Sequence, residues 1–329
     1  MAKKYAKRKR CSSPKEILHL RLGELLLESI GCEIPNDIPS KWEKHGDLVL
    51  LPAYSFRSEL WSSFGNKLWM IVADTLKCNR VARKNSICND NYRSPRVEFL
   101  LGSDSWVVHT DNKIKYAYDV KHCMFSAGNI SEKLRIAQLS CEGETIVDMY
   151  AGIGYFTLPF LVHAKAPKVH ACEWNPHAVE ALSKNLILNG VKNKCVIHYG
   201  DNREVCPEKV ADRVNLGLIP SSENGWKTAC RALKPSRGIL HIHGNVTSSI
   251  KTESCSRADN DHCESSLKRE WIVWSENVRS TIDSILYELY GEKWNVSVQN
   301  VVRIKSYAPH IDHLVVDLIC IFNKNFVKI

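Results

Sequence analysis

Thr145-Ile-Val-Asp148-Met-Tyr-Ala-Gly152-Ile-Gly154-Tyr-Phe156 reads as an apolar strand that ends in an acid and then enters a glycine turn opening a helix. Glycines at such a turn let a ligand approach the backbone closely, at the carboxyl ends of the strands where open α/β sheets bind their ligands. A Gly-x-Gly pair alone is a weak signal, because packing turns use it as well. The strands that follow strengthen it. Lys168-Val-His-Ala-Cys-Glu173 ends in a carboxylate about twenty residues after the glycines, where an acid can accept hydrogen bonds from a ribose diol. A third strand ends Tyr199-Gly-Asp201-Asn202, with side chains able to pair with an adenine edge. A fourth ends Asn215-Leu-Gly-Leu-Ile-Pro220-Ser-Ser-Glu223, beside where a substrate would lie. Four polar strand ends in sequence order point to a crevice for an adenosyl cofactor. There is no Gly-x-x-x-x-Gly-Lys-Ser/Thr loop, and Thr157 stands where a dinucleotide fold would place a third glycine, which disfavours nucleotide hydrolysis and dinucleotide binding.

Working outward, strands are predicted at Thr145 to Met149, Val169 to Glu173, Val196 to Tyr199, Val214 to Leu218 and Ile239 to His243, alternating with helices. That pattern implies a parallel sheet covered on both faces. Trp271, Trp274, Val278, Ile282, Ile285 and Leu289 repeat at helical spacing, and strand-like runs near Val296 to Ile304 and Leu314 to Ile321 would add an antiparallel edge. The polar stretch 246–270 is expected to be a disordered insertion. Upstream, Leu48 to Leu51, Trp106 to Val108 and a helix near Lys67 to Leu76 suggest a small mixed α/β domain over 41–120, with Arg80, Arg83, Lys84, Arg93 and Arg96 as a basic edge. Residues 15–31 read as one amphipathic helix ending at Gly31. The domain reading is therefore 1–40, a basic tail and helix from a partial upstream module; 41–120, the small domain; and 121–329, a Rossmann-like catalytic domain.

The 329 residues, 44% of them hydrophobic, suffice for one full α/β core and a smaller domain. The net charge is +9, but residues 1–10 carry six positive charges, so the rest of the chain is only mildly basic and no RNA partner follows from charge alone. No stretch has the about 18 apolar residues that span a bilayer, and a cytoplasmic protein without a membrane is expected. Thirteen cysteines without a Cys-x-x-Cys pair give neither a disulfide framework nor a zinc ribbon, and no metal is expected. In Met124-Phe-Ser126-Ala-Gly-Asn129-Ile-Ser-Glu132-Lys133-Leu-Arg135, Asn129 and Glu132 have capping-box spacing, leaving Ser126 on the preceding loop and Lys133 in an early helical turn. His241 and His243 share one face of a strand and read as core or surface histidines rather than as a base. His310 and His313 carry no assignment from sequence.

Taken together, DMYAGIGYF, ACEWNP, LILNGV, YGDNREV and MFSAGNISEKLR resemble the superfamily of tRNA guanine-N1 methyltransferases and wybutosine-synthesizing proteins, from about residue 41 to the C-terminus. The resemblance implies a class I methyltransferase-like fold using S-adenosylmethionine. Cofactor contacts would fall at Ser126, Lys133, Glu173, Asp201 and Asn202, with Asp148, Gly152, Gly154 and Asn215 secondary. The methyltransferase branch carries Asn-Leu-Pro after the fourth strand; the longer Asn215-Leu-Gly-Leu-Ile-Pro-Ser-Ser is similar instead to the wybutosine-synthesizing branch. That branch implies transfer of the cofactor's aminocarboxypropyl group to a wyosine-type base beside the anticodon of phenylalanine tRNA. Guanine-N1 methylation, or a silent RNA-binding scaffold of the same fold, are the alternatives.

Overall fold

The computed structural model describes residues 13–29, 31, 34–87, 92, 94–125, 127–248, 260–291 and 294–323. Two compact units emerge, Met1–Thr110 with Ala117–Met124, and Asp111–Tyr116 with Phe125–Ile329.

The first unit opens on helix α1 (Pro14–Ser29). Ser13 and Glu16 start it as a capping box, the Ser13 N–H donating to the Glu16 carboxylate at 2.7 Å and the Glu16 N–H to Ser13 Oγ at 3.3 Å. Leu18, Leu22, Leu25 and Leu26 are buried at helical spacing. They pack in one core with Leu51, Leu68, Val72 and Val81, so the helix expected in an upstream module belongs to this unit. Its sheet runs β1 (Glu43–His45), β2 (Leu48–Leu51), β3 (Arg80–Ile87) and β4 (Pro95–Leu101) in spatial order, with α2 (Asn66–Leu76) connecting the parallel pair β2 and β3. Of the expected basic edge, Arg80 and Arg83 are internal, while Lys84 is half-exposed and Arg96 exposed. Arg80 binds Asp47 and the carbonyls of Asp104 and Trp106, Arg83 is buried on Glu98 at 2.9 Å, and Lys84 pairs with Glu43. Arg93 lies outside the described residues. The hairpin β5 (Trp106–Asp111) and β6 (Ile114–Asp119) follows, its tip belonging to the second unit.

The second unit contains α3 (Ile130–Ala137), β7 (Thr145–Asp148), α4 (Thr157–Val162), β8 (Lys168–Glu173), α5 (Pro176–Leu188), β9 (Cys195–Tyr199), α6 (Asn202–Val205), β10 (Arg213–Leu216), α7 (Trp226–Ala232), β11 (Arg237–Thr247), α8 (Asn260–Tyr290), β12 (Trp294–Ala308) and β13 (Ile311–Phe322). Spatial strand order is β12-β13-β11-β10-β7-β8-β9, with β7 to β11 mutually parallel and the last two strands antiparallel. The class I methyltransferase-like sheet with an antiparallel edge is thus the observed one. α7 and α8 cover one face, burying Trp226, Val278, Ile282 and Leu286 against Val147, Val214 and Leu240.

The expected insertion is narrower than 246–270. Val246 and Thr247 extend β11 by pairing with Asp312 and Ile311, and Asn260 to Glu270 are the first turns of α8. Their polar composition misled because a helix end and a strand edge can be polar without leaving regular structure; 249–259 lie outside the described residues.

The other sheet face carries an unusual polar row. Register places Asp148, Asn215, His241 and Asp317 side by side, all buried, where a doubly covered sheet ordinarily carries apolar side chains. A pair of histidines meets further along the sheet: His170 Nδ1 is 2.9 Å from His198 Nε2. Burial, then the nearby His198 and Lys168 charges, push the His170 imidazole down to about 4. A histidine depressed in the fold binds protons more readily when unfolded, so the fold loses stability as pH falls from its unfolded value near 6.5 toward 4. His170→Gln removes that loss. In urea titrations the variant should gain on the parent progressively between pH 6.5 and 4; a difference independent of pH would contradict a buried neutral His170.

Candidate functional site

Glu173 ends β8 because Asn175 and Pro176 start a helix there: Asn175 Oδ1 accepts the His177 N–H at 3.0 Å and Pro176 takes the first helical position. The Glu173 carboxylate gathers the neighbourhood. Oε2 accepts the Gly152 N–H at 2.7 Å, and Oε1 accepts the Trp174 and Asn175 N–H groups at 3.0 and 2.8 Å. Burial pushes its pKa up against the three N–H donors, which act to lower it. A carboxylate offers about four acceptor positions. Three are used, and the fourth can take a hydroxyl.

The two glycines have different tasks. Gly152 adopts φ +56° and gives its N–H to Glu173; a Cβ there would enter the Tyr155 ring. Gly154, at φ +99°, lies against Leu158 and Leu182, where a Cβ would fall 3.1 and 3.0 Å from side-chain carbons. It is a packing glycine.

At the end of β9 the Asp201 side chain caps α6, accepting the Arg203 N–H at 2.9 Å, and pairs with the Arg203 guanidinium at 2.5 Å. The Arg203 hydrogen bond holds its pKa below the usual carboxylate value. Asn202 donates through Nδ2 to the Met149 carbonyl at 3.2 Å, which ties the third strand end to the first. Its Oδ1 is buried with no hydrogen-bond partner among the described residues. An acceptor held open in this way suits an exocyclic amino group.

Asp148 and Asn215 are inward-facing. Asp148 is fully buried and accepts from Thr157 Oγ1 at 2.7 Å and Asn215 Nδ2 at 3.0 Å, so it clamps the ends of β7 and β10. Asn215 Oδ1 has no hydrogen-bond partner among the described residues.

Lys133 is 2% exposed, its Nζ 2.9 Å from Asp111 and within 4.6 to 5.9 Å of the Phe125, Tyr116 and Tyr155 ring centres. Burial lowers its pKa and Asp111 works against that shift. The expected capping box does not form: Asn129 occupies the cap position without a side-chain cap bond, because Glu132 is buried and bonds Arg135 at 2.7 Å. Ser126 lies outside the described residues. Sequence reading missed Asp111 and the aromatic box. Asp111 was visible only as part of a turn, its neighbours Asn112 and Lys113 both having positive φ, while Tyr155 was concealed inside the glycine motif.

Strand ends of this kind define a Rossmann-like transferase of the class I methyltransferase type, with hydrogen-bond acceptors at the ends of β8 and β9. The TRM5/TYW2 methyltransferase domain matches residues 107–268 and the TYW2 N-terminal domain residues 22–105. The mouse tRNA wybutosine-synthesizing protein 2 homologue (Mus musculus) is 46% identical over 346 residues, covering 96% of this chain and 78% of that protein. The Homo sapiens homologue is 45% identical, covering 88% of this chain and 71% of its own. The chain belongs to the tRNA wybutosine-synthesizing protein 2 family. Among solved structures, P. horikoshii TYW2 in complex with MeSAdo superposes with TM-score 0.68 at 30% identity over 92% of this chain and 99% of that one. The complex of aTrm5 and tRNALeu shares the fold, with TM-score 0.63 at 22% identity over 98% of this chain and 82% of that one. Among the described residues no helix is long and apolar enough to cross a membrane, and no cluster of three metal-ligating side chains occurs.

Proposed function

We propose that this chain transfers the 3-amino-3-carboxypropyl group of S-adenosylmethionine to a tRNA, at a 4-demethylwyosine base beside the anticodon of phenylalanine tRNA, releasing methylthioadenosine in the cytoplasm as a step of wybutosine biosynthesis. The observation that carries the reading is the match to the wybutosine-synthesizing family along nearly the whole chain, strand ends included. The residues present fit an adenosyl group, since Glu173 keeps one acceptor position and Asn202 Oδ1 is an open buried acceptor.

When bound, the cofactor supplies a sulfonium with three attached carbons open to attack. Which carbon reacts is decided by which one the protein holds about 3 to 3.5 Å from the nucleophile and in line with the breaking bond. Glu173 would hold the ribose, and Asp201 with Asn202 the adenine. Among the described residues Lys133 gives one of its three N–H groups to Asp111 and lies against aromatic rings, and with Ser126 it would anchor the amino acid arm through a remaining donor. The main contribution of these residues is placement. The acceptor base must be presented in the loop or swung from its stack.

Cofactor labelled separately in the carboxyl and methyl carbons decides the reaction. With hypomodified phenylalanine tRNA, carboxyl label should enter the RNA while methyl label leaves with methylthioadenosine. Methyl label on the RNA would replace this reading with guanine methylation, and neither label on it would leave a silent scaffold.

A further inference from the structure

The polar row is tied to α3 through two of its members, His241 and Asp317. Arg135, Glu132, Asp317 and His241 bond one another, Arg135 bridging Glu132 and Asp317, and His241 Nδ1 meeting Asp317 at 2.6 Å. His243 on β11 and His313 on β13, each 1% exposed, meet one another instead, with His243 Nδ1 3.0 Å from His313 Nε2. Imidazoles at that distance share a hydrogen, one ring donating and the other accepting. Their outer nitrogens, Nε2 of His243 and Nδ1 of His313, are buried without a hydrogen-bond partner among the described residues. Buried polar atoms are rarely left that way unless water or a ligand meets them.

The surroundings give this pair a direction. The His243 ring lies 5.2 Å from that of Phe156, which closes the glycine turn and fills the space where Gly217 would carry a Cβ. Glu132 Oε1 stands 3.9 Å from His243 Nε2. At the other end, Lys305 on β12 is the charge that acts on His313, and its Nζ lies 2.7 Å from where a Cβ on Gly128 would sit, beside an exposed glycine at the foot of α3. The line therefore runs from behind the glycine turn and the end of β10 to the solvent side of α3.

We propose that His243 and His313, set between Glu132 and Lys305, form the proton-accepting relay of the transfer reaction. The inference rests on the aminocarboxypropyl reading above. In that reaction the acceptor ring carbon bonds the γ-carbon, the C–S bond breaks with its electron pair going to sulfur, and the acceptor carbon is left with a proton it must lose to restore conjugation. That proton passes to His243 Nε2 through one water; the Nδ1 proton moves to His313 Nε2, and the His313 Nδ1 proton leaves to solvent at Lys305. Charge and atoms balance with no further reagent. Burial and the Lys305 charge push His313 down to about 4. Burial, followed by His313, Arg135 and His241, pushes His243 down as well, with Asp317 opposing. Both rings are neutral acceptors at pH 7. A neutral imidazole is the form that can take the proton from the cationic adduct.

His243→Asn in the full chain keeps a polar group toward His313 but removes the titrating ring. Its kcat should fall about 100-fold, the step expected of a lost acid–base group. Cofactor affinity by calorimetry should hold, and a primary isotope effect should grow for tRNA deuterated at the acceptor carbon. A fall in kcat with no growth in the isotope effect, or with parallel loss of cofactor affinity, would make the histidine structural and overturn the relay. Lys305→Met, at a half-buried site, is the second test. It should raise the His313 midpoint in nitrogen-15 imidazole NMR of the protein alone and move the acid limb of kcat to higher pH; an unmoved midpoint or limb overturns the proposal. The unsubstituted protein assayed beside them separates the two claims, because methyl label or no label on its RNA sinks the transfer reading itself, whereas carboxyl transfer with indifferent variants sinks only the relay.

Discussion

Arg135→Met should destabilise the second unit by about 3 to 5 kcal/mol at pH 7, the range for removing one partner from a buried ion pair. Arg135 bonds Glu132 through Nε and Nη2 at 2.7 Å each and Asp317 through Nη1 at 2.6 Å, and both acids are almost wholly buried. Without the guanidinium, two carboxylates remain side by side in a low-dielectric space. Burial pushes Glu132 up even with Arg135 present. Asp317 is also pushed up by burial, but His241 and Arg135 outweigh that and hold it well below the usual range. In the variant Asp317 keeps His241, but Glu132, already pushed up by burial, loses the guanidinium that opposed the shift and would bind a proton more readily folded than unfolded, so the deficit should shrink as the pH is lowered toward 5. The quadruple replacement Arg135→Met, Glu132→Leu, Asp317→Leu, His241→Leu should recover most of the loss, since apolar groups of similar volume can replace a buried ionic network and no partner of Asp317 is then left unpaired. Urea titration of the three proteins at pH 7 and 5 measures this. A single variant within about 1 kcal/mol of the parent, the ordinary range of an exposed pair, would show that the network is wet and incidental. The consequence reaches the site because Glu132 and Arg135 flank Lys133 on α3: the network fixes the helix that carries the proposed arm contact.

How much of this is legible in the chain depends on whether a signal is local. The parallel sheet is legible because each strand carries its own apolar run and polar stop, and Glu173, Asp201 and Asn202 stand out in the sequence as strand-end groups for the same reason. Asp148 and Gly154 are legible as a motif but not in their tasks. Whether an acid at a strand end faces a ligand or a neighbouring strand depends on Thr157 and Asn215, the latter 67 residues away, and no spacing rule encodes that. Lys133 shows the same limit, because its partner Asp111 is on a hairpin tip 22 residues upstream. The histidine pair is the least legible. His243 and His313 are 70 residues apart and meet only because β13 turns back antiparallel along β11. The alternation of His241 with His243 places them on one face, yet only the register shows that one meets an acid and the other a second imidazole.

Glu173→Ala should weaken binding of S-adenosylmethionine by about 1.5 to 3 kcal/mol, roughly 10- to 100-fold, the worth of a hydrogen bond to a charged acceptor. That range counts only the ribose hydroxyl. The carboxylate also accepts the N–H groups of Gly152, Trp174 and Asn175, so its removal loosens the glycine turn and the start of α5 together, and the measured loss should sit at the upper end. Glu173→Gln is no conservative repair. The carboxamide oxygen can serve Trp174 and Asn175, but its NH2 group would then face the Gly152 N–H, donor against donor. The two variants should therefore bind comparably weakly. Methylthioadenosine separates the tasks of the residue, because it retains the ribose and lacks the amino acid arm. Calorimetry should find the same proportional loss for methylthioadenosine as for the full cofactor if Glu173 holds the sugar. A loss confined to S-adenosylmethionine would move the acid's role to the arm, and unchanged affinity for both would remove Glu173 from the site and with it the argument that the ends of β8 and β9 are where the adenosine lies.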